Sequence, residues 1–149
     1  MDLDVKVITP NQHPKFLNWV PGCNEIIIYE NDQKFAGEIL NNSDIIFTLD
    51  FNDLKRCGSI SENINPNNQN LVMIDHHQSP SNYAKIMFSN PEISSTCELV
   101  YIIADKLGLK KLIDKDIATC IYLGMMTDTG SFQYNLSLIH ISEPTRPQC

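Results

Sequence analysis

Three ionisable residues, Asp75, His76 and His77, directly follow the apolar run 71–74. Packing gives no reason to place a carboxylate and two imidazoles there, whereas Asp and His are ligands for divalent cations of intermediate hardness. If the run is a buried strand of an open α/β sheet, these side chains lie at its carboxyl end, where such sheets bind ligands. The residue types and their position together favour metal and phosphate chemistry.

Two further apolar segments lead into a carboxylate. The run 44–49 ends in Asp50, and the apolar stretch 117–126 is followed by Asp128. Alone, each of these acids has an ordinary explanation, because Asp is common in turns. If the three apolar elements lie side by side, however, Asp50, His76 and Asp128 converge. Three independent turns of this kind favour a shared cation site.

The composition is that of one globular domain. At 149 residues, with 42% hydrophobic and 19% charged residues, the chain can bury roughly 70% of its unfolded surface. The formal net charge of −7 argues against a nucleic-acid-binding protein that works through a broad basic surface. It leaves phosphate substrates open, because bound divalent cations reverse the local field.

Cysteine usage and the N-terminus bear on the cellular compartment. The five cysteines are an odd number and include no Cys-x-x-Cys pair, which favours reduced thiols over a disulfide framework. The N-terminus has no features of a signal peptide, and no apolar stretch is long enough to span a bilayer. We therefore expect a soluble cytoplasmic protein without a membrane partner.

Hydrophobic patterning predicts strands that alternate with helices. The expected strands are 5–9, 25–29, 44–49, 71–74 and 84–89. The expected helices are 33–41 after an Asn-Asp cap, 98–107 after a capping box of Ser95 and Glu98, and 114–126 with Asp114 as the cap. The segment 52–70 is interpreted as a short helix and a loop. The order implies βαβ units, hence an α/β fold with a doubly wound, mostly parallel sheet and flanking helices.

The pattern resembles the DHH phosphoesterase superfamily, and within it the bacterial bifunctional oligoribonuclease and 3′-phosphoadenosine 5′-phosphate phosphatase group. The resemblance covers residues 3–135. It rests on four segments that occur in the family's order: Asp50 after its strand, the Asp-His-His of 75–77, the helix start 94–100 and the segment 126–132. A lone Asp-His-His is a weak signal, whereas all four segments with matching element types are specific.

The resemblance implies roles for the candidate site residues. Two Mn²⁺ ions, with Mg²⁺ or Co²⁺ as alternatives, are expected about 3.5–4 Å apart in the complete site. Asp50 is the expected bridge between them, and His76 and Asp128 complete the shell of the second metal. Asp75 is expected to orient a histidine ring, and His77 to contact the scissile phosphate. Asp75, His76 and His77 are thus the expected catalytic residues.

The same resemblance implies the substrate class. We expect hydrolysis of short oligoribonucleotides or of nucleoside 3′,5′-bisphosphates, with a homodimer as an option for the full-length protein. Two other enzymes stay open, a cyclic-dinucleotide phosphodiesterase and an inorganic pyrophosphatase. The alternative outside enzymes is a non-catalytic nucleotide-binding or regulatory α/β domain.

Both ends of the chain differ from the family's usual organisation. The first motif, a His followed by Asp-x-Asp, is expected upstream of Met1, and the C-terminal substrate-binding domain is missing, so 1–135 is interpreted as a partial catalytic domain. Residues 136–149 resemble a translated sequencing adapter and are interpreted as a non-native tail. We therefore expect this chain alone to bind at most one metal tightly, to be inactive and to be poorly soluble.

Overall fold

The computed structural model describes residues 3–67 and 69–130. The interpretation of 136–149 as a non-native tail, and the end of the domain placed at residue 135, lie outside the described residues. Within the described part of the chain, no helix is both long enough and apolar enough to cross a membrane.

In the part of the chain that the structure describes, five strands form two parallel sheets. In chain order they are β1 (Ile8–Thr9), β2 (Ile27–Ile28), β3 (Ile46–Leu49), β4 (Leu71–Asp75) and β5 (Ile86–Ser89). β1 pairs with β2, and the larger sheet has the order β3-β4-β5. Leu49 is in register with Ile74, and Ile74 with Phe88, so the carboxyl ends of these strands share one edge. The predicted α/β class is confirmed, although the strands divide between two sheets among the described residues.

The two predicted strands nearest the N-terminus are much shorter than expected. A 3₁₀ turn over Cys23–Glu25 includes the first residue of the expected second strand. The side chains of Val5 and Val7 are exposed, so β-branched composition alone predicted extended pairing that packing does not support. A bond from the Ile27 N–H to the Val7 oxygen (2.9 Å) marks the beginning of the real pairing.

Three α-helices begin at the predicted caps. They are α1 (Gln33–Asn42), α2 (Thr96–Lys106) and α3 (Lys115–Asp128). Asp32 accepts from the Phe35 N–H at 3.0 Å, Ser95 from Glu98 at 3.0 Å, and Asp114 from Ile117 at 2.9 Å. Each cap satisfies a backbone donor that the first helical turn leaves open. The Ser95 cap and both acidic caps are confirmed, and the Glu98 carboxylate of the predicted capping box accepts from the Ser94 N–H at 3.3 Å.

The segment between β3 and β4 is largely 3₁₀-helical. The run Leu54–Asn63 is interrupted at Gly58, whose φ of 62° lies in the left-handed region that glycine adopts without a steric penalty. Asp53 caps the run by accepting from the Lys55 N–H at 2.8 Å. The predicted short helix and loop are therefore present, with more helical turn than the polar composition suggested.

Apolar side chains pack on both faces of β4, whose five residues are all buried. On one face, Leu71 and Met73 join a cluster with Ala36 of α1 and with the 3₁₀ segment. On the other face, Val72 and Ile74 pack with Leu99 of α2. Helical layers on both faces are the arrangement of a doubly wound fold.

The outer strands of this sheet keep apolar side chains in solvent. Phe47 and Leu49 of β3 are 59% and 47% exposed, and Ile86 and Phe88 of β5 are 52% and 41% exposed. Exposed apolar surface on sheet edges promotes association. Poor solubility of the isolated chain therefore stays a prediction with a physical cause.

Candidate metal centre

Asp50 occupies the turn that ends β3, at the shared carboxyl edge of the larger sheet. Its N–H donates to the Ile74 oxygen at 3.0 Å, which continues the ladder beyond the last strand residue. Its φ is 70°, a left-handed conformation that Asp and Asn tolerate better than other residues with a Cβ. The turn therefore fixes both the position of this carboxylate and the kind of residue that can carry it.

His76 presents one defined nitrogen to Asp50. Its Nδ1 lies 3.1 Å from the Ile93 oxygen, and because a carbonyl only accepts, Nδ1 carries the proton. The Nε2 atom then has the lone pair, and it lies 3.6 Å from Asp50 Oδ1. A neutral imidazole with its other nitrogen bonded to a backbone carbonyl is the form that binds metal ions.

His77 is held differently, by the buried carboxylate of Asp75. Asp75 is 0% exposed; its Oδ1 accepts from His77 Nδ1 at 2.8 Å and its Oδ2 from the His77 N–H at 2.9 Å. His77 Nδ1 is also 3.7 Å from Asp50 Oδ1. Because the Nδ1 N–H of His77 donates to Asp75, the ring nitrogen that stays available to a ligand is Nε2.

Ligand atoms of Asp50, His76 and His77 all lie within 4.8 Å of one another. The sequence predicted Asp50, His76 and Asp128 as metal ligands. Of these, the structure brings Asp50 and His76 together, adds His77, and leaves Asp128 outside this group. The carboxylate of Asp50 and Nε2 of His76 are a mixed O/N set that suits Mn²⁺ and related divalent ions, whereas the His77 nitrogen near Asp50 is the Nδ1 atom that bonds to Asp75. The donor set therefore fits a metal ion.

Asp128 lies in the last turn of α3, not in the loop after it, and it belongs to the same electrostatic site. Burial raises its pKa above the usual value, and the negative charge of Asp50 raises it further. His76, the Thr96 N–H and His77 act in the opposite direction. The fully ionised form of Asp128 is thus disfavoured until positive charge arrives, which is the response expected beside a cation site.

The first turn of α2 connects the two carboxylates. The Thr96 hydroxyl donates to Asp50 Oδ1 at 2.6 Å, and the Thr96 N–H lowers the pKa of Asp128. Helix N-termini stabilise anions because their first N–H groups lack intrahelical partners. Sequence reasoning included Thr96 in a motif but gave it no role. Its place directly after the Ser95 cap was the available signal.

Comparison with known proteins agrees with this geometry. Residues 3–125 match the family model described as DHH family, N-terminal domain. The chain belongs to the DHH family. The crystal structure of an exopolyphosphatase-related protein from Bacteroides fragilis matches with a TM-score of 0.87 at 44% identity. The match covers 91% of this chain and 40% of that protein, so the chain spans about two fifths of the relative's length.

Two further contacts in this DHH domain hold the loop after β3 against its surroundings. The Asn52 amide donates to the Gln78 oxygen at 2.9 Å, and the Tyr83 hydroxyl donates to the Phe51 oxygen at 2.7 Å. These bonds fix the residues on the carboxyl side of Asp50. Sequence reasoning missed both, because each donor and its acceptor are far apart in the chain and only folding brings them together.

Proposed function

We propose that this DHH domain is the catalytic part of a metal-dependent phosphoesterase that hydrolyses short oligoribonucleotides, nucleoside 3′,5′-bisphosphates or both. One observation carries the proposal: ligand atoms of Asp50, His76 and His77 lie within 4.8 Å of one another. They meet at the carboxyl edge of a parallel sheet, where open α/β folds bind their ligands. The family match over residues 3–125 supports the reaction class.

The proposed resident metal is Mn²⁺, with Mg²⁺ or Co²⁺ as alternatives, and the complete site holds two ions. When bound, such ions polarise the phosphate and supply a water that is nucleophilic at neutral pH. Asp50 is the proposed bridging ligand, and His76 binds through Nε2. Asp128, whose pKa is raised in the absence of positive charge, is proposed as a further carboxylate ligand.

His77 and Asp75 are proposed to act on the substrate. Asp75 is fully buried, and its Oδ1 accepts a hydrogen bond from His77 Nδ1 at 2.8 Å. The neutral ring of His77 therefore keeps one orientation and one tautomer. Its Nε2 side is the part that can contact the scissile phosphate. When the ring is protonated it donates from Nε2 to the phosphate oxygens, and the buried carboxylate of Asp75 balances the positive charge of the ring.

A second candidate substrate is a phosphoanhydride chain. The solved relative is described as exopolyphosphatase-related, and a metal site of this type can also act on the bond between two phosphates. Polyphosphate, pyrophosphate and a cyclic dinucleotide therefore belong in the same assay as the proposed substrates. A domain that binds nucleotide without hydrolysing any of them would be the non-catalytic alternative.

The first test is the binding of Mn²⁺ to the purified chain, measured by calorimetry. Asp50→Asn keeps a residue that tolerates the left-handed backbone but removes the charge, so we expect affinity to fall by roughly 100-fold or more. Asp44→Asn, at the other end of the same segment, is the matched control and should bind as the original chain does. Equal affinity of both variants for Mn²⁺ would refute the proposed metal site.

The second test is hydrolysis in the presence of Mn²⁺. A 5′-phosphorylated diribonucleotide and adenosine 3′,5′-bisphosphate are compared with the three rival substrates, and free phosphate and nucleotide products are separated by chromatography. Any longer product of the same reading frame is assayed beside this chain, since the chain spans 40% of the solved relative. Faster turnover of polyphosphate than of both nucleotides would replace the proposed substrate class.

A further inference from the structure

Asn52 joins the two loops that carry the candidate metal ligands. It stands two residues after Asp50, and its amide nitrogen donates to the oxygen of Gln78, which follows His77. Its backbone oxygen also accepts from the Ser81 N–H at 2.8 Å. The remaining polar atom, Oδ1, accepts from Arg56 Nη1 at 3.1 Å. A guanidinium is therefore attached to the junction between the loops after β3 and β4.

This guanidinium keeps its charge available. Arg56 is exposed, and among the described residues no carboxylate lies within ion-pair distance of it. Its partner is a neutral amide that uses one of five N–H donors. Arg56 is also the only arginine in the part of the chain that the structure describes. The chain has a net charge of −7. An arginine without an ion-pair partner, near a proposed phosphate site, is therefore a candidate to bind an anionic ligand.

The attachment of the Arg56 guanidinium to Asn52 suits contact with a second phosphate of the substrate better than with the phosphate under attack. Only Phe51 lies between Asp50 and Asn52, which places the Cα atoms of these two residues at most about 7 Å apart. The Arg56 side chain donates to Asn52, and in the described part of the chain it makes no hydrogen bond or ion pair with Asp50, His76 or His77. Arg56 is therefore attached to the loop that follows Asp50 without contacting the candidate ligands.

We propose that Arg56 binds the phosphate of the substrate that is not attacked, and so makes this site select substrates with two phosphates. The inference rests on the proposed function and adds a specificity-determining residue to it. Arginine suits this role because its planar fork donates two parallel hydrogen bonds to phosphate oxygens. Asn52 accepts a hydrogen bond from one arm of the fork.

The experiment compares two ligands that differ by one phosphate. Binding of AMP and of adenosine 3′,5′-bisphosphate to the Mn²⁺-loaded chain is measured by calorimetry, with chromatography of the cell contents to detect turnover. If the bisphosphate is hydrolysed, KM replaces Kd in the comparison. Arg56→Gln should lower the affinity for the bisphosphate about 10-fold relative to AMP, the effect of one charge-assisted contact.

Two variants control for charge and geometry. Lys55→Gln removes a neighbouring exposed cation and should leave the ratio of the two affinities unchanged. Arg56→Lys keeps the charge without the fork and should restore part of the ratio. Thermal melting and Mn²⁺ affinity should not change with Arg56→Gln, because its only described side-chain partner is an exposed contact to Asn52.

The outcomes separate the inference from the proposed function. If Arg56→Gln weakens AMP and the bisphosphate equally, or if Lys55→Gln has the same effect, the role of Arg56 is structural or a matter of net charge, and the inference is wrong. If the original chain shows no Mn²⁺-dependent binding of either nucleotide, the proposed function fails first and the inference fails with it.

Discussion

The candidate metal centre has two parts that depend on different elements. Asp50, His76 and His77 lie at the ends of β3 and β4, which are paired in register over four residues. Asp128 lies at the end of α3, whose place depends on packing against α2. Backbone ladders fix the first part, whereas the second depends on how closely two helices approach. The strand part is thus preformed, and the helix part is the one that packing changes can alter.

That close approach of the helices depends on a glycine. A Cβ at position 124 of α3 would collide with Cys97 Sγ on α2. The side chain of Cys97 therefore occupies the space that Gly124 leaves open. Since Asp128 is one helical turn after Gly124, the distance between these helices also sets the distance from Asp128 to the strand part of the site.

The largest expected effect is a loss of Mn²⁺ affinity that is greater for a substitution of His76 than for one of His77. His76→Asn removes the Nε2 lone pair that faces Asp50, so Mn²⁺ affinity should fall by more than the roughly 10–100-fold typical of a lost supporting contact. His77→Asn should cost less, because Asp75 already occupies the Nδ1 atom of His77. Calorimetric titration with His13→Asn as control measures all three, and equal losses for both site variants would make His77 a full ligand.

The next effect tests the helix part. Gly124→Ala forces α2 and α3 apart, and overpacking of this kind costs roughly 1–3 kcal/mol of stability. Cys97→Ala in the same chain removes the sulfur but leaves a tight 3.0 Å approach to Cβ, so rescue should be partial. Urea unfolding of the single and double variants gives the coupling energy. Additive losses would show that the two positions do not restrict each other.

A smaller loss is expected from Tyr83→Phe, which leaves the Phe51 oxygen without its donor. The Tyr83 hydroxyl also bonds to the Thr48 hydroxyl at 2.6 Å, so the cost should be about 1–2 kcal/mol, the usual net value of two hydrogen bonds. Burial also raises the pKa of Tyr83 to about 12 from 10.0. The folded state therefore holds the phenolic proton more tightly, and this stability is present below pH 10 and lost as pH rises through 10–12. Urea unfolding at pH 9 and 11 should show a smaller difference between the two proteins at the higher pH.

The smallest effect concerns the charge of Asp128. Because burial and the charge of Asp50 raise its pKa, the ionised carboxylate opposes folding at neutral pH when no cation is present. Asp128 is exposed, so solvent screens this effect, and Asp128→Asn should raise Tm only slightly at pH 7. Excess Mn²⁺ should reverse the order of the two melting curves. A lower Tm for the variant without metal would contradict this sign.

Local sequence signals predicted much of this arrangement. The starts of three helices were predicted from their cap residues, Asp32, Ser95 and Asp114. This was possible because a cap side chain bonds to a backbone N–H only three residues further along the chain. The apolar run before Asp75 predicted β4, because a strand buried on both faces reads as continuous hydrophobic sequence. Thr96 and Asn52 escaped prediction as site-positioning residues because their bonds join segments that only the folded chain brings together. The short β1 and β2 were overestimated because β-branched residues also occur where no neighbour covers them.

The left-handed turn at Asp50 has a consequence for mutational screens. Two independent requirements act on position 50. The left-handed backbone accommodates Asp, Asn and Gly with little strain, and the need for a negative charge leaves only Asp of these three. In a library with all amino acids at this position, selection for folded protein should retain three residues, and selection for metal-loaded protein should retain one. The difference between the residues retained by the two selections would separate the contribution of the carboxylate charge to metal binding from the contribution of the turn conformation to folding.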